Sequence, residues 1–410
     1  MSNDDRSIYD KSKRVDGMGL MKNYLDNWII EKITGAEIGK KASKEGENLP
    51  NSINVYEKKE AKEYRRLLEE YQLTKIKESI KYACENSKFY KDHLGEVSRD
   101  GILKDCGQSR TIEDFNQNIA SKDFIQDITL DSFKKIPFLN SKDCNEKLLC
   151  VSQSQIERVV TVNSSGTTGA PKRVYFTEED QELTVDFFHR GMENIIDKDD
   201  TLLILMPSKT PTSIGELLKN GVERIGARVV AKGMLKAEES YEELLELIVK
   251  EEITSIVAMP MQMEEIIKAY RNFSKKFKLK SILLSAEYVP ERLLKNAEKT
   301  FSCYAYEHFG MTETGYGGAV SCFIREGYHT READLYIEII DPKTGEVLED
   351  GKWGEIVITT LTRKAMPLIR YRTGDVSRWL VDPCPCGSFL KRLDKVKDRN
   401  QKKGDEFYVK

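Results

Sequence analysis

The middle of the chain alternates between short apolar runs and stretches with the period of a helix, and this alternation restricts the fold more than any other feature. The apolar runs are residues 202–206, 227–231, 254–258 and 281–285. The helix-period stretches between and after them are residues 214–224, 238–250, 261–270 and 290–299. Short strands separated by helices are typical of crossover connections in a largely parallel sheet. The sequence therefore predicts an α/β fold with mostly parallel sheets flanked by helices.

The pattern differs on both sides of this region. From residue 335 onward, two strand-like runs flank the turn Asp341-Pro342-Lys343-Thr344-Gly345, which indicates an antiparallel hairpin within a β-rich subdomain at 319–398. A helix is predicted from Ala61, where apolar residues recur at helical spacing. Residues 1–60 are polar and are interpreted as an N-terminal extension with one short helix at about 24–33.

Composition excludes several classes of protein. The 410 residues are 39% hydrophobic and 32% charged, and no apolar run is long enough to span a membrane. The net charge of −3 argues against a nonspecific nucleic-acid binder. No apolar signal segment follows Met1, so we expect a cytoplasmic protein. The eight cysteines are accordingly interpreted as thiols or metal ligands rather than disulfides.

A loop at residues 164–172 has the chemistry of a polyphosphate-binding segment. Its members are Ser164, Ser165, Gly166, Thr167, Thr168, Gly169, Ala170, Pro171 and Lys172. Glycine lets backbone N–H groups approach phosphate oxygens, the hydroxyls add donors, and Lys172 adds positive charge. The spacing is not that of a Walker A loop. The alternative is a flexible linker, although this sequence is more constrained than a linker requires.

Two further segments carry groups that suit a nucleotide. Glu313 offers a hard oxygen ligand for Mg²⁺, with the hydroxyl of Thr312 beside it. Asp375 follows a Thr-Gly turn and is suited to accept both hydroxyls of a ribose. Taken alone, the segment with Glu313 could be an ordinary helix-to-loop junction that happens to contain one glutamate. The segment with Asp375 could be a strand that ends in an ordinary aspartate turn, with Arg370 and Arg372 exposed to solvent.

The three segments together, in this order and spacing, resemble the adenylate-forming superfamily of acyl-CoA synthetases, and most closely its phenylacetate–CoA ligase-like branch. The resemblance covers about residues 61–400 and includes Tyr82-Ala83-Cys84-Glu85-Asn86-Ser87-Lys88-Phe89-Tyr90, Ile136-Pro137-Phe138-Leu139 and Ser285-Ala286-Glu287. It implies a large N-terminal adenylation domain of the AMP-binding fold at residues 61–398.

The resemblance also implies roles for individual residues. The loop from Ser164 to Lys172 would close over the β- and γ-phosphates of ATP, Thr312 would contact the α-phosphate, and Glu313 would hold Mg²⁺. The expected adenine and ribose contacts are Ser285, Ala286, Glu287, Tyr306, Glu307, Asp375 and Arg399. Residues 259–261 and 316–318 are candidates for the border of the acid pocket.

The implied reaction is the ATP-dependent conversion of a small carboxylic acid, aryl or short, to an acyl-adenylate, with release of pyrophosphate and transfer to CoA. The acceptor could instead be a carrier-protein thiol or another non-CoA acceptor. No nucleic-acid or membrane partner is expected, and the resemblance leaves a homodimer open.

Residues 399–410 are interpreted as a hinge stub, because family members continue past the position of Arg399 into a C-terminal lid domain that this sequence does not contain. Two expectations follow from this difference. A separate polypeptide could supply the lid, and adenylation by this chain in isolation would be slow. The alternative from another class is a lid-less protein that binds a nucleotide or an acyl group without turnover.

Cys322, His329, Cys384 and Cys386 are a candidate set of ligands for a structural zinc ion. Two cysteine-containing pairs can form a tetrahedral Cys₃His site if the β-rich segment brings them together. Some members of the resembled branch carry these residue types at the same relative places. The alternative is three unrelated thiols and an ordinary histidine.

Overall fold

The computed structural model describes residues 24–35, 58–99, 128–162, 171–235, 239–397, 402–403 and 406–407. The helices are α1 Tyr24–Thr34, α2 Lys58–Asn86, α3 Lys88–Arg99, α4 Leu130–Phe133, α5 Glu178–Met192, α6 Ile214–Glu223, α7 Tyr241–Lys250, α8 Pro260–Asn272 and α9 Glu291–Phe301. The strands of the main sheet are β3 Thr201–Ile204, β4 Arg228–Ala231, β5 Ser255–Ala258, β6 Ser281–Leu284, β7 Tyr304–Phe309, β8 Ala319–Val320, β9 Tyr328–Thr330 and β13 Arg392–Leu393. The remaining strands are β1 Arg158–Val162, β2 Lys172–Phe176, β10 Leu335–Ile340, β11 Gly354–Thr360, β12 Tyr371–Ser377, β14 Lys402–Lys403 and β15 Glu406–Phe407.

The main sheet has eight strands in the order β13-β9-β8-β7-β6-β5-β3-β4. Strands β4, β3, β5, β6 and β7 pair in parallel, and β8, β9 and β13 continue the sheet antiparallel. The chain passes from β3 outward to β4 and then returns across β3 to β5. The strand order therefore reverses between β3 and β5, and the carboxyl ends of strands at such a point form the crevice where α/β proteins bind ligands.

The parallel strands form where the sequence is continuously apolar. Strands β3, β5 and β6 are buried along their whole length, because helices cover both faces of the sheet. One face packs on α5 and α6 and the other on α7, α8 and α9, in two separate hydrophobic clusters. The predicted parallel α/β architecture is confirmed, and its strands and helices lie within a few residues of the predicted ranges.

Helix α7 illustrates how local sequence sets these elements. Ser240 caps its N-terminus by accepting a hydrogen bond from the backbone N–H of Glu243, and the side chain of Glu243 accepts one from the N–H of Ser240. Leu244, Leu245 and Ile248 then recur at helical spacing and are buried against the sheet. The helix consequently begins at Tyr241 rather than at residue 238.

The β-rich region contains the predicted hairpin. Strands β10 and β11 pair antiparallel from Leu335↔Thr360 to Ile340↔Glu355, and β12 pairs with the far edge of β11. Strands β8, β9 and β13 belong instead to the main sheet. The segment predicted as a β-rich subdomain thus supplies both a three-stranded sheet and one end of the eight-stranded sheet.

Helix α1 falls inside the segment interpreted as a polar extension, and it is an integral part of the core. Leu25, Trp28 and Ile29 are buried in the cluster formed with α5 and α6. The indole Nε1 of Trp28 donates a 2.8 Å hydrogen bond to Asp186 of α5. The helix therefore anchors this part of the N-terminal segment to the main body. Among the described helices, none combines the length and apolar character needed to cross a membrane.

Candidate active site

Glu313 is the centre of a buried polar cluster at the carboxyl end of strand β7. It lies in the 3₁₀ turn Thr312–Thr314, and Gly315 ends this turn with a φ of 69°, which glycine adopts without strain. The side chain of Glu313 is only 1% exposed. A carboxylate so deeply buried requires positive charge and hydrogen-bond donors around it.

Strands β2 and β12 and the segment after β11 supply those partners. Lys172, the first residue of β2, forms an ion pair with Glu313 Oε1. The hydroxyl of Tyr371, the first residue of β12, donates a 2.7 Å hydrogen bond to the same oxygen. Arg363 Nη1 donates a 2.9 Å hydrogen bond to the backbone carbonyl of Glu313. No described residue donates a hydrogen bond to Oε2 of Glu313.

An aromatic wall lies beside this cluster. The rings of Phe176 and Tyr316 are stacked, with centroids 6.0 Å apart, and the guanidinium of Arg363 lies 4.8 Å from the centroid of Phe176. Arg158 links strand β1 to this wall by donating to the Tyr316 hydroxyl at 3.4 Å and to Thr212 Oγ1 at 2.8 Å. Side chains from β1, β2 and the loop after β7 are therefore fixed relative to one another.

The structure distributes the other predicted nucleotide-binding residues around the carboxyl ends of β6 and β7. Ala286 and Glu287 are exposed just after β6, and Ala286 has a left-handed φ of 75°. Tyr306 is buried in the cluster that contains α5 and α6. Glu307 is also buried, and its Oε1 accepts a hydrogen bond from Tyr328 and lies 3.0 Å from Lys395 Nζ.

Asp375 lies in an irregular part of strand β12. Pairing passes from Val357↔Arg372 to Glu355↔Val376, so β11 advances by two residues while β12 advances by four. The additional residues include Gly374, whose φ is 79°. A bulge of this kind redirects the side chains next to it. Asp375 is partly exposed at this bulge, on the strand that also carries Tyr371.

Several predicted site residues lie outside the described residues. These are Ser164, Ser165, Gly166, Thr167, Thr168, Gly169 and Arg399. The described ends of the predicted loop are nonetheless placed. Val162 and Lys172 are direct partners in the antiparallel pair β1–β2, so Val162 lies beside the residue that forms the ion pair with Glu313.

An apolar cavity lies at the point where the strand order reverses. Its walls include Phe187 and Phe188 of α5, Leu218 of α6, and Ser285 and His308 at the ends of β6 and β7. Burial lowers the pKa of His308 to about 4, so its imidazole is neutral at pH 7. The residues predicted to border an acid pocket, 259–261 and 316–318, are not among the described lining residues, although Gly317 packs closely on the Phe187 ring.

Cys322, His329, Cys384 and Cys386 meet in a second, separate cluster. All four are buried, and their ligand atoms lie within 4.8 Å of one another. Cys322 Sγ and Cys384 Sγ are 3.7 Å apart, and Cys386 Sγ is 3.3 Å from His329 Nε2. Around a tetrahedral zinc ion with Zn–S bonds of about 2.3 Å, sulfur ligands lie about 3.8 Å apart. The donor set and its spacing therefore fit a closed four-ligand zinc site.

The surroundings of this cluster also suit a metal. Hydrogen bonds with Cys322 and with each other lower the pKa of the Cys384 thiol and raise that of the Cys386 thiol, because the buried sulfur atoms share protons at close range. Helix α1 covers the cluster through Asp26, which is 1% exposed. The Asp26 carboxylate accepts hydrogen bonds from Ser388 Oγ at 2.6 Å and from the backbone N–H of Phe389 at 3.3 Å.

Sequence reasoning assigned no role to three residues that shape these sites. Tyr371 lies inside a segment that was recognised, but only a three-dimensional contact shows that it binds Glu313. Arg363 has no motif around it and acts through a backbone carbonyl. His308 lies within the segment that contains Glu313, and its burial beside Ser285 follows from the pairing of β6 with β7.

The chain is similar in sequence to curated proteins of one name. A protein named phenylacetate-coenzyme A ligase from Pseudomonas putida is 27% identical over 320 residues, which cover 76% of this chain and 67% of that protein. A protein of the same name from Thermus thermophilus is 28% identical over 278 residues, which cover 66% of this chain and 61% of that protein. The chain thus spans roughly two thirds of the length of these curated relatives.

The fold has close counterparts among solved structures. A crystal structure of 2-hydroxyisobutyryl-CoA ligase, in complex with 2-HIB-AMP and CoA, superimposes with a TM-score of 0.64 at 21% sequence identity. The superposition covers 81% of this chain and 68% of that protein. The family model described as AMP-binding enzyme matches residues 98–362, a range that includes Lys172, the Glu313 turn and the apolar cavity. This match covers more than half of the chain, and it shows that the chain belongs to the AMP-binding enzyme family.

Proposed function

We propose that this protein is an AMP-forming acid–thiol ligase, which activates a small carboxylic acid with ATP and transfers the acyl group to CoA. The observation that carries the proposal is the buried contact of Lys172 and Tyr371 with Glu313. An apolar cavity at the point where the strand order reverses adds a place for an organic group. The names of the curated relatives, phenylacetate-coenzyme A ligase, support the same reaction.

In the first half-reaction, an oxygen of the substrate carboxylate attacks the α-phosphorus of ATP. The new acyl–phosphate bond forms as the bond to pyrophosphate breaks. Both reactants are anionic, so the protein must hold them together and offset charge. Lys172 supplies a cation at the base of the predicted phosphate loop, and Thr312 offers a hydroxyl at the end of β7. Asp375, on the β12 bulge, is the proposed ribose contact.

Glu313 is the proposed ligand for Mg²⁺. Its Oε1 is held by Tyr371 and Lys172, while its Oε2 receives no hydrogen bond from the described residues, which leaves that oxygen for a hard cation. A magnesium ion bound there would neutralise charge on the phosphates. Tyr371 and Arg363 fix the orientation of the carboxylate and of its backbone, and this is their contribution to the site.

The apolar cavity is the proposed site for the organic part of the acid. Its walls are formed by Phe187, Phe188, Leu218 and other apolar side chains at the carboxyl ends of β3, β5 and β6. Burial of an aryl or branched aliphatic group against these side chains would favour binding, by roughly 25 cal/mol for each Å² of apolar surface removed from water. The substrate is therefore proposed to be an aryl or short aliphatic carboxylic acid.

The decisive experiment is carboxylate-dependent exchange of labelled pyrophosphate into ATP, screened over aryl and short aliphatic acids. Exchange with any acid establishes adenylation, and subsequent formation of an acyl-CoA thioester establishes the acceptor. Nucleotide binding without exchange across the panel would favour a nucleotide-binding protein. Exchange without thioester formation would favour a carrier-protein thiol or another acceptor.

Two variants make this experiment specific to the proposed site. Glu313→Gln should abolish Mg²⁺-dependent exchange, because the amide cannot replace the carboxylate as a metal ligand. Glu349→Gln is the matched control, since Glu349 is an exposed carboxylate that forms only a surface ion pair with Lys352. Equal exchange rates in the two variants would refute the role proposed for Glu313.

We further propose that Cys322, His329, Cys384 and Cys386 hold a structural zinc ion. Four protein ligands leave no open coordination position, so the ion would stabilise the fold without taking part in the reaction. Metal analysis of protein purified without chelators should give about one zinc per chain. Cys386→Ser should lose the metal, whereas Cys303→Ser, a buried free thiol outside the cluster, should keep it. A zinc content near zero in the unmodified protein would contradict this proposal.

A further inference from the structure

The apolar cavity contains one polar feature that adenylation itself does not require. Ser285 and His308 are the only described lining residues with polar side chains, and they lie side by side at the carboxyl ends of β6 and β7. The distance from Ser285 Oγ to His308 Nδ1 is 2.8 Å, so the two groups share a hydrogen bond. This pair fixes the orientation of the imidazole ring.

The other ring nitrogen of His308 has no partner. Its Nε2 is buried, and it makes no hydrogen bond with any described residue. The ring packs beside the side chains of Phe187 and Phe188, with both centroid distances equal to 6.3 Å. A buried polar atom without a partner is unfavourable, because it has lost its hydrogen bonds with water. A ligand group that paired with Nε2 would recover this free energy.

The protonation state of the imidazole limits which group can pair with it. Burial lowers the pKa of His308 to about 4, so the ring is neutral at pH 7 and is no counter-charge for a carboxylate. If Ser285 donates to Nδ1, then Nε2 carries the proton and needs an acceptor. If Nδ1 donates to Ser285, then Nε2 is itself an acceptor. A hydroxyl group satisfies both arrangements, because it can donate and accept.

We propose that the pair Ser285–His308 selects a carboxylic acid whose apolar body carries a hydroxyl group, which forms a hydrogen bond with Nε2 of His308. This inference rests on the proposed function and specifies its substrate. Only Phe309, Gly310 and Met311 separate His308 from Thr312 in the sequence, and Thr312 precedes Glu313. In this proposal the body of the acid lies at His308 and its carboxylate is directed toward Thr312.

The test compares acids that differ only by a hydroxyl in place of a methyl group. Suitable pairs are para-hydroxyphenylacetate with para-methylphenylacetate, and beta-hydroxybutyrate with isovalerate. In pyrophosphate exchange, kcat/KM for the hydroxyl member of at least one pair should exceed that of its methyl partner by about tenfold or more. A site with a buried polar group discriminates strongly against an analogue that leaves that group unpaired.

Substitutions at His308 and elsewhere in the cavity separate this effect from a change in cavity shape. His308→Leu should abolish or invert the preference, while His308→Gln should retain part of it because the amide can still form a hydrogen bond. Met192→Leu, which alters an apolar lining residue, should preserve the preference. Thermal unfolding of each variant verifies that it is folded. The inference would be overturned if the ratio of kcat/KM for the hydroxyl acid to that for its methyl partner were near one in the unmodified protein. It would also be overturned if the preference for the hydroxyl acid survived in His308→Leu.

A binding measurement keeps this inference independent of catalysis. The chain has four histidines, so the imidazole nitrogen signals of His308 can be assigned in an NMR spectrum by comparison with His308→Gln. Hydroxyl acids should shift the Nε2 signal in the presence of a non-hydrolysable ATP analogue, and their methyl partners should shift it less. If no acid supports exchange but this pattern appears, the proposed function fails and the recognition of a hydroxyl stands. If neither member of any pair shifts the signal, the inference fails.

Discussion

The hydroxyl of Tyr371 donates a 2.7 Å hydrogen bond to Glu313 Oε1, and Lys172 forms an ion pair with the same oxygen. Through this carboxylate, the first residue of β12 and the first residue of β2 are joined to the turn that follows β7. Three segments far apart in the sequence thus position one carboxylate.

This relationship predicts a specific effect of Tyr371→Phe. The substitution keeps the ring and removes the hydrogen bond to Glu313, which corresponds to about 1 kcal/mol and hence to an increase of about fivefold in the KM for MgATP. Tyr270→Phe is the control, because it removes an equally short hydrogen bond to the carbonyl of Phe277, together with the one that its hydroxyl accepts from the Phe277 N–H, in the core around α8. Tyr270→Phe should lower the free energy of unfolding and leave the KM for MgATP unchanged. Equal effects of the two variants on KM would argue against a positioning role for Tyr371.

Arg370 is expected to be a structural residue, although it lies in a segment that carries site residues. Its guanidinium forms two 3.1 Å hydrogen bonds to the carboxylate of Glu338, and both side chains are only 2% exposed. Arg370→Met leaves that carboxylate buried without its partner, so the free energy of unfolding should fall by about 3–5 kcal/mol.

The neighbouring Arg372 provides the comparison for this prediction. It also pairs with a glutamate, Glu355, but its side chain is 28% exposed. Solvent screens a partly exposed pair, so Arg372→Met should cost about 1 kcal/mol. Urea unfolding of both variants measures the difference. Similar losses for the two arginines would show that burial of the Arg370–Glu338 pair is not the deciding factor.

His308 should make stability depend on pH below neutrality. The unfolded chain binds a proton at this histidine near pH 6.5, whereas the folded chain does so only near pH 4, because burial disfavours the charged ring. The contribution of His308 is therefore complete above pH 6.5 and is lost as the pH falls toward 4. The loss over this interval is on the order of 3 kcal/mol.

Comparison with His308→Asn isolates this contribution, since every other titrating group is common to both proteins. Urea unfolding at a series of pH values from 7 to 4 should show the unmodified protein losing more stability on acidification than the variant. Parallel stability curves for the two proteins would contradict the buried, neutral state of His308.

Helix α1 should contribute substantially to stability. Ile29 is fully buried in the cluster shared with α5 and α6, so Ile29→Ala should lower the free energy of unfolding by about 2–4 kcal/mol. Thr34→Ala, at the exposed end of the same helix, should cost less than about 0.5 kcal/mol. Chemical denaturation measures both values. A small effect of Ile29→Ala would indicate that α1 is only loosely attached.

The accuracy of the sequence predictions followed the physical origin of each element. Strands such as Ser281–Leu284 are buried on both faces, so they appear as uninterrupted apolar runs that are easy to recognise. The ends of helix α7 depended on the side chains of Ser240 and Glu243, which only a local capping analysis would place. Helix α1 was predicted, but not its burial, because the residues that cover it come from distant parts of the chain.

In the candidate site, too, contacts between residues that are distant in the sequence could not be predicted. Lys172 and Glu313 could be selected because each lies in a segment with recognisable chemistry, and the structure brings them into contact. The role of Tyr371 and the unpaired nitrogen of His308 could not be predicted, since each depends on the pairing of strands that are remote in sequence. The sequence could only suggest a metal cluster on the condition that the β-rich segment folds back on itself. The structure meets this condition for Cys322, His329, Cys384 and Cys386.

The hydrogen bond between Asp26 and Ser388 joins residues 362 positions apart. During synthesis, α1 leaves the ribosome long before the segment around Ser388 exists. Asp26 therefore has neither of its hydrogen-bond partners, Ser388 and Phe389, until nearly all of the described chain has been made. The apolar face of α1 has its partners once α5 and α6 have been made, whereas the polar contacts of Asp26 are completed last. Nascent chains halted between residues 223 and 388 should consequently carry α1 docked through its apolar face, with the Asp26 carboxylate still without Ser388 and Phe389.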